Sequence, residues 1–178
     1  ITKNEDGKYS LSVGHVTLTV DAQKGGKIVS YRYDDKEILS QTKIPNSFGS
    51  TFWTSPQSEW NWPPVPEYDT KPFNAEVAGD KLILTGEKSK RFGYRVRKEL
   101  TTDKKDNAIV ITYTIINESG ETRKVAPWEI SRVPNGGILF FDAKEVTPAN
   151  NMETMPFVYE KKSAWYTLDE SRKNRKIN

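Results

Sequence analysis

Apolar and polar residues alternate with a period of two along most of this chain. In "HVTLTV" the alternation puts Val16, Leu18 and Val20 on one face and His15, Thr17 and Thr19 on the other, which is the spacing of a strand. "GYRVRKELT" sends Tyr94, Val96 and Leu100 one way and Arg95, Arg97, Glu99 and Thr101 the other, predicting a strand with one wet face. "NAIVITYTIIN" has Ile109, Ile111, Tyr113 and Ile115 on one side and Ala108, Val110, Thr112, Thr114 and Ile116 on the other. Apolar residues on both sides predict a central strand between two layers. Further strands are expected at "KIVSYRY", "EILS", "FNAEVAG", "KLILTGE", "RKVAPWEI" and "GILFFD". Turn residues separate them, among them Gly25 with Gly26, Asp34 with Asp35, Gly79 with Asp80, and Ser119 with Gly120. No window shows a capped 3.6-residue period. The expected fold is all-β, an antiparallel sandwich, organised as one domain over residues 1–178.

Residues 45–72 break this rhythm. They hold six prolines, show no alternation, and are too long for an ordinary connection. The segment contains "FWTSPQSEWNWPPVP", whose composition argues against regular secondary structure, yet its aromatics argue for order. The expectation is an ordered, inserted loop packed over the end or face of a sheet. Two readings stay open for it. Trp53, Trp60 and Trp62 could plug a sheet face that the strands leave open. Alternatively, one or two of them present a flat face to a ligand, with Gln57, Glu59, Asn61 and Asp69 supplying hydrogen bonds. Carbohydrate suits that second pairing, since a pyranose has an apolar C–H face for stacking and a rim of hydroxyls for polar groups.

A second unusual stretch, "VAPWEISRVPNGG", follows the strongest strand after a tight turn over 118–121 and is expected to return antiparallel beside it. Trp128 and Ile130 share one face, and Glu129, Ser131 and Val133 the other. Glu129 and Arg132 then lie on opposite faces unless the flanking prolines introduce a bulge. The bland reading is a surface ion pair worth under about 1 kcal/mol. The functional one is a carboxylate and a guanidinium flanking a sugar pocket walled by Trp128, with arginine suited to bridging hydroxyls or gripping a carboxylate.

Composition narrows the chemistry. There are no cysteines and a single histidine, His15, so thiolate chemistry, disulfides and multi-histidine metal sites are excluded. His15 falls on a polar strand face and is expected to be exposed. "GEKSKR" lacks the glycine, lysine and hydroxyl order of a phosphate-cradling loop, and no GxGxxG occurs. No cofactor is expected and no metal site is readable, the spacing of Glu59 and Asp69 matching no calcium loop. A net charge of +3 is too small to imply nucleic acid, and no apolar run is long enough to enter a membrane. The basic tail "SRKNRKIN" reads as a solvated end. "NES" at Asn117 is a formal glycosylation match without supporting context. A start at Ile1 without methionine fits removal of an upstream segment, whether a cleaved export signal or a chain trimmed for expression.

Three stretches carry a family resemblance: "GGKIVSYRYDDKEILS", "FGSTFWTSPQSEWNWPPVPEYD" and "RVRKELTTDKKDNAIVITYTIINESGETRKVAPWEISRVPNGG". Over most of residues 10–145 the chain resembles the galactose mutarotase-like β-supersandwich. More narrowly it resembles a bacterial branch carrying "FWPSPQ…W.WPP" and "APWE.TR" signatures. The resemblance implies a sugar-facing concave sheet and an exported, periplasmic or cell-surface setting. True aldose epimerases carry an asparagine–histidine pair on the strand matching residues 125–133, with the histidine as general acid. Here that strand reads "APWEISR", so the resemblance does not carry catalysis across. The family's general base falls beyond the end of this chain. Either the chain is a truncated supersandwich, or it is a reduced sandwich completed by forming a homodimer.

Together these readings predict a carbohydrate-binding β-sandwich. Trp53, Trp60, Trp62 and Trp128 supply stacking surface, and Gln57, Glu59, Glu129 and Arg132 supply polar contacts. The alternatives are a sugar epimerase or other carbohydrate-active enzyme using carboxylates, and a protein-interaction module of a cell-surface assembly.

Overall fold

The fold was examined in a computed structural model that describes residues 1–42, 47–143 and 157–167. Pro45 and Asn46 of the aromatic segment, and the basic tail at 171–178, lie outside the described residues. The chain forms two compact units, Ile1–Arg132 and Val133–Asn178.

The first unit is an antiparallel β-sandwich. One sheet has seven strands: β1 (Thr2–Lys3), β2 (Tyr9–Val13), β3 (Val16–Asp21), β4 (Lys27–Tyr33), β6 (Ser50–Ser55) and β11 (Ala126–Ser131) in that spatial order, with β5 (Lys36–Glu37) paired to β4. The other has four, in the order β10 (Ala108–Asn117), β9 (Tyr94–Asp103), β8 (Lys81–Thr85) and β7 (Asn74–Ala78). The alternating residues that the sequence assigns to one face meet between the sheets. Leu11, Leu18 and Val20 from the first sheet, and Leu82, Leu84, Val96 and Leu100 from the second, are buried together. Phe52 on β6 stacks on Tyr113 on β10, ring centroids 4.7 Å apart and planes within 10°, which pins one layer to the other.

Several expectations are corrected. The 45–72 segment is not a loop throughout: it contains β6, a central strand with five of its six residues buried. A strand buried on both faces has no alternation to read. After β6 come a short 3-10 turn, Gln57–Glu59, and a single helical turn, α1 (Pro66–Asp69). The strand expected to return beside β10 instead crosses to the other sheet, pairing with β6 from Trp128↔Trp53 to Ser131↔Ser50. The linker at 118–125 is long enough for that crossing, and "SG" marks a turn without naming the partner. Nor is β10 central. It borders the four-stranded sheet among the described residues, its Val110, Thr112 and Thr114 face exposed. Those residues suit an extended backbone without being buried. Of the expected "EILS" strand only Glu37 is in a strand, the two-residue β5.

The turn at Gly25 and Gly26 locks α1 onto the sheet. Gly25 has φ +66°, and a Cβ there would lie 2.3 Å from the carbonyl oxygen of Asp69, so only glycine permits this approach. Its N–H donates to the Lys71 carbonyl at 2.9 Å. The second unit contains a three-stranded antiparallel sheet in the order β12 (Ile138–Asp142), β14 (Ser163–Thr167), β13 (Val158–Glu160).

Candidate functional site

Because β6 and β11 pair in register, residues of like parity share a face. Trp53 and Trp128 are opposite one another on the outer face, and Phe52 and Glu129 on the face toward the second sheet. The two faces carry different chemistry.

On the outer face the aromatic segment folds back so that four of the chain's five tryptophans gather around Trp53. Trp60, Trp62 and Trp128 all stand edge-on to it, with centroids at 5.7, 5.8 and 5.7 Å, the geometry that ring quadrupoles favour. Each buried indole nitrogen has an acceptor. Trp53 Nε1 donates to Asp69 Oδ1 at 2.8 Å, and Trp60 Nε1 to the Thr54 carbonyl at 2.9 Å. Trp53 and Trp60 are buried, Trp128 is half-buried, and Trp62 stays 69% exposed. The Arg132 guanidinium lies 5.9 Å from the Trp53 ring and donates to Thr51 Oγ1 at 3.2 Å. Lys27 is nearby, its amine 4.3 Å from the Phe48 ring. Burial first, and then the Arg132 charge, pull the Lys27 amine down to about 8. Burial likewise lowers Arg132, against the opposing pull of Asp69 and Glu129.

The inner face holds a cleft of about 270 Å3, walled by Leu18, Ile28, Leu39, Ile109 and Ile111, with Tyr31, Ser50, Tyr113, Glu129 and Ser131 as its polar groups. Glu129 accepts from the Ser50 hydroxyl and from Tyr113. The residue as a whole is open to solvent at the mouth of the cleft, while its carboxyl end is crowded by protein. That crowding raises the carboxyl above its usual range, opposed by the Tyr113 hydrogen bond and the charges of Lys98 and Arg132. The same burial, with the Glu129 charge, raises the Tyr113 phenol.

Behind Glu129 is Lys98, only 3% exposed. Its amine donates to the carbonyls of Gly25 and Gly26, both at 2.9 Å, and is surrounded by the rings of Phe52, Phe73 and Tyr113 at 5.2 to 6.0 Å. Burial lowers it to about 8 despite the attraction of Glu129 and Asp69.

Of the eight residues singled out in the sequence, Trp53, Trp60, Trp62, Trp128 and Arg132 come together on the outer face. Glu129 is on the opposite side of the same strand, as parity requires. Gln57 and Glu59 belong to the 3-10 turn. The Gln57 carbonyl accepts from the Trp60 and Asn61 N–H groups, and the Glu59 carbonyl accepts from Arg91. Sequence reasoning missed Lys98, although a signal existed: it has the parity of Tyr94, Val96 and Leu100, a charge placed in an apolar row. His15 is exposed, as expected, with Nδ1 2.7 Å from Asp34 Oδ1 and its ring against Tyr33. Among the described residues no group of three or more histidine, cysteine or carboxylate side chains is placed to hold a metal ion.

No family model and no curated protein matches the chain. Among solved structures, the fold is similar to part of a 4-alpha-glucanotransferase from Thermococcus litoralis, at 12% identity and a TM-score of 0.40. That likeness covers 76% of this chain, which spans only 24% of the glucanotransferase.

Proposed function

We propose that this protein binds carbohydrate, with the sugar lying against the indole face of β6 and β11. The observation that supports this most is Trp62: a large aromatic left 69% exposed, yet held edge-on against a buried neighbour. An indole that only sealed the sheet would be covered, as Trp60 is. A held, exposed ring instead offers a negative face to the polarised C–H edges of a pyranose. Arg132 adds a donor for hydroxyl or carboxylate groups beside the aromatic wall, the usual mix of a small-molecule site. Tryptophan fluorescence titrated with neutral and acidic saccharides tests this reading. One sugar class is expected to give a saturable change, weakened about tenfold or more by Trp62→Ala, equivalent to about 1.4 kcal/mol. The same variant is expected to shift unfolding by no more than about 0.5 kcal/mol, because the ring is exposed. A flat response across the panel would sink the proposal.

The inner face favours a second reading, in which the protein is a carbohydrate-active enzyme that uses carboxylates. A carboxyl held above its ordinary range, hydrogen-bonded to a phenol in a cleft, is suited to act as a proton donor. If so, turnover of a sugar held in this inner cleft falls as pH rises through the Glu129 value, and Glu129→Gln abolishes it. Turnover that survives Glu129→Gln with an unchanged pH profile removes this reading and leaves binding untouched.

A further inference from the structure

Away from both faces, the connection between β8 and β9 meets the connection between β10 and β11 around a second cleft of about 460 Å3. Gly93 makes the meeting possible. Its φ is +71°, and a Cβ there would fall 2.7 Å from the Ser119 Cα. The cleft gathers Lys88, Lys90, Arg91 and Arg123 against one carboxylate, Glu121.

That balance is unusual for this chain. Elsewhere cations sit beside acids, as in Lys8 with Asp6, Lys71 with Glu67 and Glu87, and Arg97 with Glu99. Here only Arg123 has an ion pair, with Glu121 at 2.9 Å. The nearby Glu118 carboxylate is taken by Arg95, and Lys88 reaches only the Glu118 carbonyl, at 2.8 Å. Lys90 has no partner among the described residues. Like charges held this close repel one another, and an anion placed between them relieves the repulsion.

Arg91 ties this cleft to the aromatic segment. Its guanidinium donates to the Glu59 carbonyl at 2.8 Å and the Trp60 carbonyl at 3.2 Å, and packs on Phe92. The peptide that Arg91 grips is therefore two residues from the exposed Trp62 ring. We propose that the cleft takes an oxyanion of the bound saccharide, a uronate carboxylate or a sulfate ester, making the ligand of the indole face an acidic sugar chain. This inference rests on the carbohydrate reading. Lysine and arginine at this density suit either oxyanion, arginine through its forked donors.

The test compares uronate-bearing, sulfated and neutral oligosaccharides of equal length, with inorganic sulfate as a separate probe. Acidic chains are expected to bind at least about tenfold tighter than neutral ones. The advantage should shrink as salt rises from about 0.01 M to about 0.15 M and the Debye length falls from roughly 30 to 8 Å. In the Lys88→Gln/Lys90→Gln/Arg123→Gln variant the acidic preference should vanish, with thermal melting as in the parent. Whichever acidic chain binds tighter identifies the oxyanion. Equal binding of neutral and acidic chains, or a preference that survives in the variant, overturns the inference and spares the carbohydrate reading. If no saccharide binds, that reading fails and sulfate decides the cleft alone. Sulfate stabilisation lost in the variant upholds an anion site, and no sulfate effect removes it.

Discussion

Trp53→Ala is expected to lower the unfolding free energy by about 3–5 kcal/mol, the range for truncating a large buried aromatic. Trp53 is the one indole that touches the other three, and its nitrogen anchors Asp69 at the end of α1. Removing the ring leaves a cavity under Trp60 and Trp128, and deprives the Asp69 carboxylate of its donor. It also removes the edge against which Trp62 is held, so any saccharide response should disappear with it. The contrast with Trp62→Ala is what gives the measurement its meaning: one ring supports the cluster, and the other is presented by it. Urea unfolding with unchanged slope checks the stability term. A loss below about 1 kcal/mol would show that the four indoles do not pack as a unit.

The second large effect concerns Lys98. Its amine titrates near 8 in the fold, against 10.5 for an ordinary lysine. Below pH 8 the folded and unfolded chains both hold the proton, and the fold carries the full cost of burying the charge. Between 8 and 10.5 the unfolded chain keeps a proton that the fold has released, so stability rises with pH. The rise should be read between pH 8 and about 9.5, before the tyrosines of the unfolded chain ionise near 10. Lys27, also lowered to about 8, adds a slope of similar size and the same sign.

Lys98→Met should remove about half of that rise, leaving the Lys27 part. At pH 7 it should also cost about 1–3 kcal/mol, because it leaves the buried Gly25 and Gly26 carbonyls without their donor. Adding Glu129→Gln should recover part of the loss, since the two residues interact. Stability that is flat from pH 8 to 9.5 in the parent chain, or a Lys98→Met variant more stable at pH 7, contradicts this account.

Much of the architecture could be read from alternation alone. β3, β8 and β9 lie where the period-two pattern puts them, because each has one wetter face to contrast with its buried one. β6 was hidden for the opposite reason. Buried on both sides and bordered by prolines, it offers no contrast. Pairing was less legible than position. The turn chemistry at Ser119 and Gly120 says that the chain reverses, but the partner of β11 is set by indoles and Phe52 that are distant in sequence.

At the site, composition pointed to the tryptophans because aromatics cluster visibly in the chain. Lys98 was visible only as an exception within an apolar row. The cationic cleft was not legible at all, since Lys88 and Arg123 come from connections that only the folded sandwich brings together.

Trp128 and Glu129 are neighbours on one six-residue strand, yet they serve opposite sides of the sheet. What separates them is backbone parity, not any contact between side chains. Substitutions can retune the indole surface and the acid cleft independently, one residue at a time. A single-residue insertion or deletion within β11 cannot. It would send the carboxylate out among the indoles and drive Trp128 into the cleft. For mutation and for design alike, the length of this strand is therefore the quantity held fixed.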